Sequence, residues 1–152
     1  DWSSDVCSSD LPRGHIMKTQ TVQAIMHKQP ISVQCQTPLA TIIETLIESQ
    51  QLQLPVINQN KKLIGMVSLI DCQNALLIGA YHCDQPIKVN DIMAKDFTSL
   101  ATQQALSEVA IQTQQQTESI FPVLESGKLV GILRRVDLLN YLYNNFSQCT
   151  VA

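Results

Sequence analysis

The chain of 152 residues lacks the features of a membrane-bound or secreted protein. No apolar run approaches the roughly 20 residues that a membrane-spanning helix needs. A secretory signal has a charged segment followed by an apolar one, and the sequence shows no such pattern near its start. Hydrophobic residues make up 45% of the chain and charged residues 15%, which indicates a globular domain with a core and not a disordered chain. We therefore expect a cytoplasmic protein that does not associate with a membrane.

Cysteine spacing and catalytic motifs are equally sparse. The five cysteines form no C-x-x-C pair and no regular framework, which favours free thiols in a reducing compartment. The sequence contains no nucleophile elbow, no phosphate-binding glycine loop, no His-Glu-x-x-His pair and no dinucleotide fingerprint. We therefore expect no enzyme, no required cofactor and no metal. An enzyme or metal protein would need His82 and Cys83 to converge with another ligand, since adjacent residues rarely point at one ion.

Residues 1–16 differ in composition from the rest of the chain. The stretch DWSSDVCSSDL is rich in serine and aspartate and has no hydrophobic period. It is typical of a sequencing adapter translated as protein, or else of a disordered N-terminus, and we expect no role for it in the fold. Without its three aspartates and Arg13, the net charge changes from −3 to −1. This balance gives no support for nucleic acid as a partner.

The remaining chain repeats itself once. VQAIMHKQPISV at 22–33 aligns with VNDIMAKDFTSL at 89–100, and LPVINQNKKLIGMVSLID at 54–71 aligns with FPVLESGKLVGILRRVD at 121–137. Two copies of about 55 residues are too few for a solenoid, whose repeats each contact only their neighbours. The repetition therefore predicts a pseudo-twofold pair that shares one core.

The alignment predicts the limits of the segments. After the leader we expect a first repeat, a linker, a second repeat and a short tail, at 17–77, 78–88, 89–146 and 147–152.

Each copy predicts the element order β-α-β-β-α. Thr37 and Pro38 predict a helix start, with a capping hydroxyl followed by proline at the first helical position. Two short apolar strands around a polar turn follow, and in the second copy Gly127 is free to take a positive φ in that turn. A second helix is expected at about 69–79 and again at about 135–146.

The heptad GMVSLID closes the second strand of the hairpin in the first copy and opens the following helix. Ser68 and Asp71 there have the spacing of a helix cap, in which each side chain satisfies a backbone N–H. Alternatively, Asp71 accepts hydrogen bonds from a ribose diol while the helix N-terminus faces a phosphate. The two roles do not exclude each other.

The heptad GILRRVD in the second copy keeps the aspartate, Asp137, but replaces the serine with Arg134. A guanidinium has no acceptor and cannot cap a helix N-terminus. Its planar charged fork suits a phosphate, which predicts that the site around Asp137 prefers a phosphorylated ligand. The opposing hypothesis is that Arg134 pairs with Asp137 or another nearby acid and closes that site.

The I-M opening, the L-P-V strand and the G-x-[VL]-x-x-x-D heptad, found in this order twice, resemble a CBS (cystathionine-β-synthase-type) domain. The resemblance covers about 22–142 and implies an α/β (α+β) fold of two CBS repeats packed as one Bateman module. It is similar to the stand-alone bacterial CBS pairs. In that family the clefts between the repeats bind AMP, ADP, ATP or S-adenosylmethionine, and modules pair through their helices. The resemblance thus implies a regulatory protein with an adenine-nucleotide ligand, a homodimer and an effector protein of unknown identity.

The resemblance also implies the ligand-binding residues; for all of them except Ser68, Asp71, Arg134 and Asp137, ordinary core packing is the alternative explanation. They are Ile31, Leu54, Pro55, Val56, Ser68 and Asp71 for the first site, and Thr98, Phe121, Pro122, Val123, Arg134 and Asp137 for the second. Phe121 is expected to stack on adenine. The alternative function is a structural or protein-interaction module without ligand. Polar pockets beside the two aspartates favour binding, whereas filled clefts favour the structural role.

Overall fold

The computed structural model describes residues 20–79 and 86–150 of the chain. The first copy contains helix α1 (Val22–Ile25), strand β1 (Val33–Gln34), helix α2 (Leu39–Ser49), strands β2 (Gln53–Ile57) and β3 (Leu63–Ser68), and helix α3 (Leu69–Gly79). The second contains α4 (Val89–Ile92), β4 (Leu100–Ala101), α5 (Leu106–Thr113), β5 (Ile120–Glu125), β6 (Lys128–Arg134) and α6 (Arg135–Thr150). The α+β fold with the predicted order is confirmed, and each copy begins with one additional short helix.

Each copy forms its own three-stranded sheet. The first strand runs parallel to the second, which pairs with the third as an antiparallel hairpin. The two hairpins have the same register, because Val56 faces Gly65 in one and Val123 faces Gly131 in the other. A register shift follows directly after both of these pairs. The sequence repeat is therefore a repeat of the backbone geometry as well.

Helix α2 begins one residue later than predicted. Pro38 occupies the N-cap with extended backbone angles, and no side chain caps the helix. The hydroxyl of Thr37 instead donates a hydrogen bond to the carbonyl of Gln34 in the preceding turn. The helix buries Ile42 and Leu46 at a spacing of four and ends where Gln50 takes a left-handed φ of 57°. The capping role predicted for Thr37 is thus wrong, because its hydroxyl already serves the turn.

The short first helix of each copy packs into the core of the other copy. Val22 in α1 is fully buried among second-copy residues such as Leu106 and Phe121. Val89 in α4 is likewise fully buried among first-copy residues such as Ile42. The two cores therefore exchange one element each, and neither copy completes its core without the other.

Glycine permits this exchange at the third strand of each sheet. The backbone of His27 pairs with that of Ile132 through two hydrogen bonds of 2.8 and 3.1 Å, and Ala94 pairs with Met66 in the same way. A Cβ at Gly131 would lie 2.6 Å from the carbonyl oxygen of His27. Glycine is thus required at the start of each heptad, because the segment that follows the short helix of the other repeat, at His27 or at Ala94, approaches the strand so closely.

The hairpin turns also meet each other. Leu129 donates a backbone hydrogen bond to the carbonyl of Lys61, and Leu63 donates one to the carbonyl of Gly127. Gly127 has a φ of +80°, which confirms the prediction for this turn, and Lys61 has a φ of 66° in the other. Among the described residues, no helix has the length and apolar character to span a membrane.

Candidate functional site

The first heptad forms a reciprocal cap at the start of α3. The Ser68 N–H donates to Oδ2 of Asp71 at 3.0 Å, and the Asp71 N–H donates to Oγ of Ser68 at 3.1 Å. This arrangement satisfies two of the backbone donors that a helix N-terminus leaves without partners. The second carboxylate oxygen, Oδ1, accepts no hydrogen bond from the described part of the chain. Asp71 can therefore keep its cap and still accept a ligand hydroxyl.

The second heptad forms an ion pair. Nε and Nη2 of Arg134 donate to Oδ2 and Oδ1 of Asp137 at 2.9 and 3.0 Å, in a two-pronged geometry. Nε2 of His27 lies 3.0 Å from Oδ2 of the same carboxylate. The Arg134 guanidinium holds the pKa of the Asp137 carboxyl below its usual range, with a smaller effect of His27 in the same direction and an opposing effect of burial. The hydrogen bond to Asp137 also raises the pKa of Arg134.

His27 comes to Asp137 from the other repeat. The segment after α1, whose backbone pairs with Ile132, carries it there. The residue of the second copy that aligns with His27 is Ala94, whose side chain cannot reach a carboxylate. In the first copy, Ser68 stands at the position that aligns with Arg134. The two aspartates therefore lie in chemically different surroundings, as the serine-to-arginine difference predicted. Sequence analysis missed His27, although the 67-residue alignment already placed it opposite an alanine.

A cavity of about 480 Å³ lies beside Asp137. Gln20, Ile25 and His27 of the first repeat form one wall, and Arg134 and Asp137 with polar residues of α6 form the other. The cavity is thus open, polar and built by both repeats. The binding hypothesis requires an open, polar cavity beside this aspartate, whereas the structural alternative requires a filled cleft.

Two further cavities are related to each other by the repeat. One has a volume of about 460 Å³. It is lined by residues 49–52, by Ser119 and Ile120, by Arg134 at the end of β6, and by the start of α6 with Arg135. The other, of about 330 Å³, is lined by the aligned residues around Ser68 and by Glu118. Arg134 contributes to the 460 Å³ cavity and also to the 480 Å³ cavity beside Asp137.

The predicted base-pocket residues lie mostly in the cores. Leu54, Val56, Phe121 and Val123 are fully buried, Pro55 and Pro122 are buried, Thr98 is half-buried and Ile31 is exposed. None of these eight lines any of the three cavities described above. The structure does not support the stacking prediction for Phe121, because its ring has no exposed surface and lies 5.2 Å from the Arg135 guanidinium.

Arg135 is a residue that sequence analysis missed. Its guanidinium donates to the carbonyls of Glu118, Gln116 and Thr113 at 2.8, 2.9 and 3.3 Å. These carbonyls lie at the end of α5 and in the segment after it, where backbone acceptors lack helical partners. The aligned residue in the first copy is Leu69, so the contrast between the two copies was the available signal.

Metal binding has no support among the described residues, which contain no group of three His, Cys, Asp or Glu side chains able to hold an ion. His82 and Cys83 lie outside the described residues. Burial and the nearby Asp71 raise the pKa of the Cys72 thiol, which makes that thiol less reactive.

Two interlocked β-α-β-β-α repeats with an aspartate at each strand-to-helix corner define a tandem α+β module. The family model described as CBS domain matches residues 22–78 and 89–144. The chain therefore belongs to the CBS domain family, and the prediction of a tandem pair is confirmed.

Solved structures support the same assignment. AcuB from Vibrio cholerae is 26% identical, with a TM-score of 0.73 and coverage of 88% of this chain and 98% of that one. CBSX2 in complex with AMP is 26% identical, with a TM-score of 0.70 and coverage of 82% and 97%; this protein is from Arabidopsis thaliana. Among curated relatives, the A-adding tRNA nucleotidyltransferase of Aquifex aeolicus is 28% identical over 119 residues. The chain spans between 14% and 45% of the length of the curated relatives it matches.

Proposed function

We propose that the protein is a cytoplasmic regulatory module without catalytic activity, which binds an adenosine-containing ligand in the clefts between its repeats. The cavity beside Asp137 carries this proposal, because both repeats build it and its lining is polar. The similar protein CBSX2 binds AMP, so we propose AMP as the first candidate, with ADP, ATP and S-adenosylmethionine as related ones.

The residues beside the cavity suggest how a ligand would act. His27 belongs to one repeat and Asp137 to the other, and they touch at 3.0 Å. A ligand that binds Asp137 changes the contacts at this junction. It favours one arrangement of the pair only if it binds that arrangement more tightly than the other. The output is then a shift in repeat arrangement or in oligomeric state, which an effector protein would detect.

The helices that follow the hairpins would provide a homodimer surface. Val136, Leu139 and Tyr143 recur along α6 at spacings of three and four and are each about 60% exposed. Leu76, Leu77 and Ile78 of α3 are exposed to a similar degree. Apolar surface of this kind favours association, and we propose a second copy of this chain as its occupant.

A structural role without ligand is the second candidate function. The contacts of Asp137 favour it, because both oxygens of this carboxylate are already engaged by Arg134 and His27. Under this alternative Arg134 and His27 keep the Asp137 carboxylate from any ligand, and the exposed helices carry the function.

Thermal unfolding with AMP, ADP, ATP, NAD and S-adenosylmethionine distinguishes the two candidates. A ligand at 100 times its Kd stabilises the native state by about 2.7 kcal/mol. For a chain of this size that corresponds to a rise in Tm on the order of 5–10 °C. Asp71→Ala with Asp137→Ala serves as the control and should show no rise. If millimolar ligand leaves the Tm of the unmodified protein unchanged throughout the panel, the structural role is favoured and the binding proposal fails.

A further inference from the structure

We propose that Arg134 is a latch on the second cleft, and that a phosphate group on the ligand is what releases it. This inference rests on the proposed nucleotide-binding function and assigns a ligand class to one of the two clefts. The second cleft accepts adenosine ligands that carry a phosphate and discriminates against those without one. The first cleft makes no such distinction.

The state of the carboxylate is the first step in the argument. Arg134 donates one hydrogen bond to each oxygen of Asp137, and Nε2 of His27 lies at hydrogen-bond distance from Oδ2. An ionised carboxylate can only accept, and its two oxygens offer about four acceptor positions. Arg134 and His27 occupy three of them, so a ribose diol, which needs two, cannot bind through both hydroxyls while both side chains stay in place. A nucleoside that displaces the guanidinium gains no replacement contact for it.

The freedom of the guanidinium is the second step. The Arg134 side chain is 45% exposed, and Asp137 is its hydrogen-bond partner within the described chain. It lines the cavity beside Asp137 and also the neighbouring 460 Å³ cavity. A rotation about its side-chain bonds therefore moves the charge from one cavity to the other without disturbing β6.

The charge of the neighbouring cavity is the third step. Arg134 and Arg135 both line it, and no acidic side chain does. Arg135 uses Nε and Nη2 to hold backbone carbonyls, and its Nη1 makes no hydrogen bond to the described residues. A phosphate in this cavity would meet the planar fork of Arg134, which suits its oxygens, and the free Nη1 of Arg135. It would draw Arg134 away from Asp137 and leave the carboxylate open to the sugar of the same ligand.

The first repeat's aspartate, Asp71, has none of the three residues that form the latch. Ser68 and Leu69 replace the two arginines, and Ala94 replaces His27. Its aligned cavity is lined by Glu118 and by no cationic side chain. Asp71 therefore has no latch, and the cavity around Ser68 offers no positive charge to a phosphate.

Calorimetric titration with AMP and with adenosine tests the latch on a background of Asp71→Ala, which leaves only the second cleft. We expect AMP to bind at least tenfold more tightly than adenosine, since charge-assisted bonds to phosphate are strong. Arg134→Ser should strengthen adenosine binding about threefold to fivefold, the value of releasing an exposed ion pair. The same change should weaken AMP binding. Lys128→Ser removes an equal charge about 20 Å away along β6 and should change neither affinity.

Three other outcomes overturn the latch. If Arg134→Ser weakens AMP binding and leaves adenosine binding unchanged, Arg134 is only a phosphate ligand. If Arg134→Ser strengthens the binding of both compounds equally, it is only a plug. If adenosine already binds the Asp71→Ala protein as tightly as AMP does, no phosphate is needed. Absence of binding by either compound to the chain with both aspartates intact would instead overturn the proposed function itself.

Discussion

Replacing Gly131 with alanine should remove the contact that interlocks the two repeats. The added Cβ would lie 2.6 Å from the His27 carbonyl oxygen and 2.9 Å from Sδ of Met26. The methionine can move, but the carbonyl belongs to backbone that is fixed by the pairing with Ile132. The segment around His27 must therefore move away from β6, and α1 with the fully buried Val22 lies just ahead of it in the chain.

The magnitude follows from two contributions. This movement breaks the backbone hydrogen bonds of 2.8 and 3.1 Å between His27 and Ile132, each of which contributes about 1 kcal/mol. Overpacking of the tight interface adds about 1–3 kcal/mol. The expected loss of about 3–5 kcal/mol is a large part of the stability of an ordinary domain, about 5–15 kcal/mol.

Urea unfolding followed by circular dichroism measures this loss. Gly79→Ala is the matched control, because its Cβ would meet only Cδ1 of Ile87 at 3.6 Å, an ordinary contact. We expect that control to stay within about 1 kcal/mol of the unmodified protein, since alanine favours a helix. Gly65→Ala should also destabilise strongly, by way of Ala94 and Met93. If Gly131→Ala unfolds at the same urea concentration as Gly79→Ala, the interlocking account is wrong.

Two further predictions concern acid and association. A carboxyl whose pKa is lowered on folding stabilises the protein above its unfolded pKa of about 3.9, and that contribution disappears as the pH falls through the folded value. The urea stability of the unmodified protein should therefore exceed that of Asp137→Asn at pH 7, by less than about 1 kcal/mol because the pair is partly exposed, and the difference should shrink as the pH falls below about 4. A difference that stays the same from pH 7 into this acid range would contradict this. In sedimentation at micromolar concentration, Leu139→Lys should convert the homodimer into a monomer. Ile111→Lys on α5 is the control and should leave the dimer intact. If the unmodified protein already sediments as a monomer, the dimer proposal is wrong.

The fold was predictable because its signals are local and occur twice. Helix α3 has the predicted limits, 69–79, and the two hairpins follow from apolar strands separated by polar turns. Each weak pattern in one copy is supported by the aligned pattern in the other. The second helix of the second copy begins as predicted at Arg135 and continues past 146 to Thr150.

The exchange of α1 and α4 was not predictable from the same patterns. An apolar residue such as Val22 must be buried, but its sequence does not say in which copy's core. The position of His27 depends on that exchange, so its contact with Asp137 stayed hidden as well. The sequence allowed two hypotheses for Arg134, that it binds a phosphate or that it forms an ion pair, because a sequence does not determine where a flexible side chain lies. The structure shows the ion pair, and the exposed guanidinium beside a second cavity is why the two roles can be combined.

Direct titration of AMP into the unmodified protein and into the double variant Asp71→Ala with Asp137→Ala tests the central claim most directly. The account predicts saturable heat for the unmodified chain and its loss in the double variant, with both proteins equally folded by circular dichroism. Saturable binding that is unchanged in the double variant would contradict the assignment of the clefts. Absence of binding to the unmodified chain at millimolar AMP would contradict the proposal that AMP is its ligand.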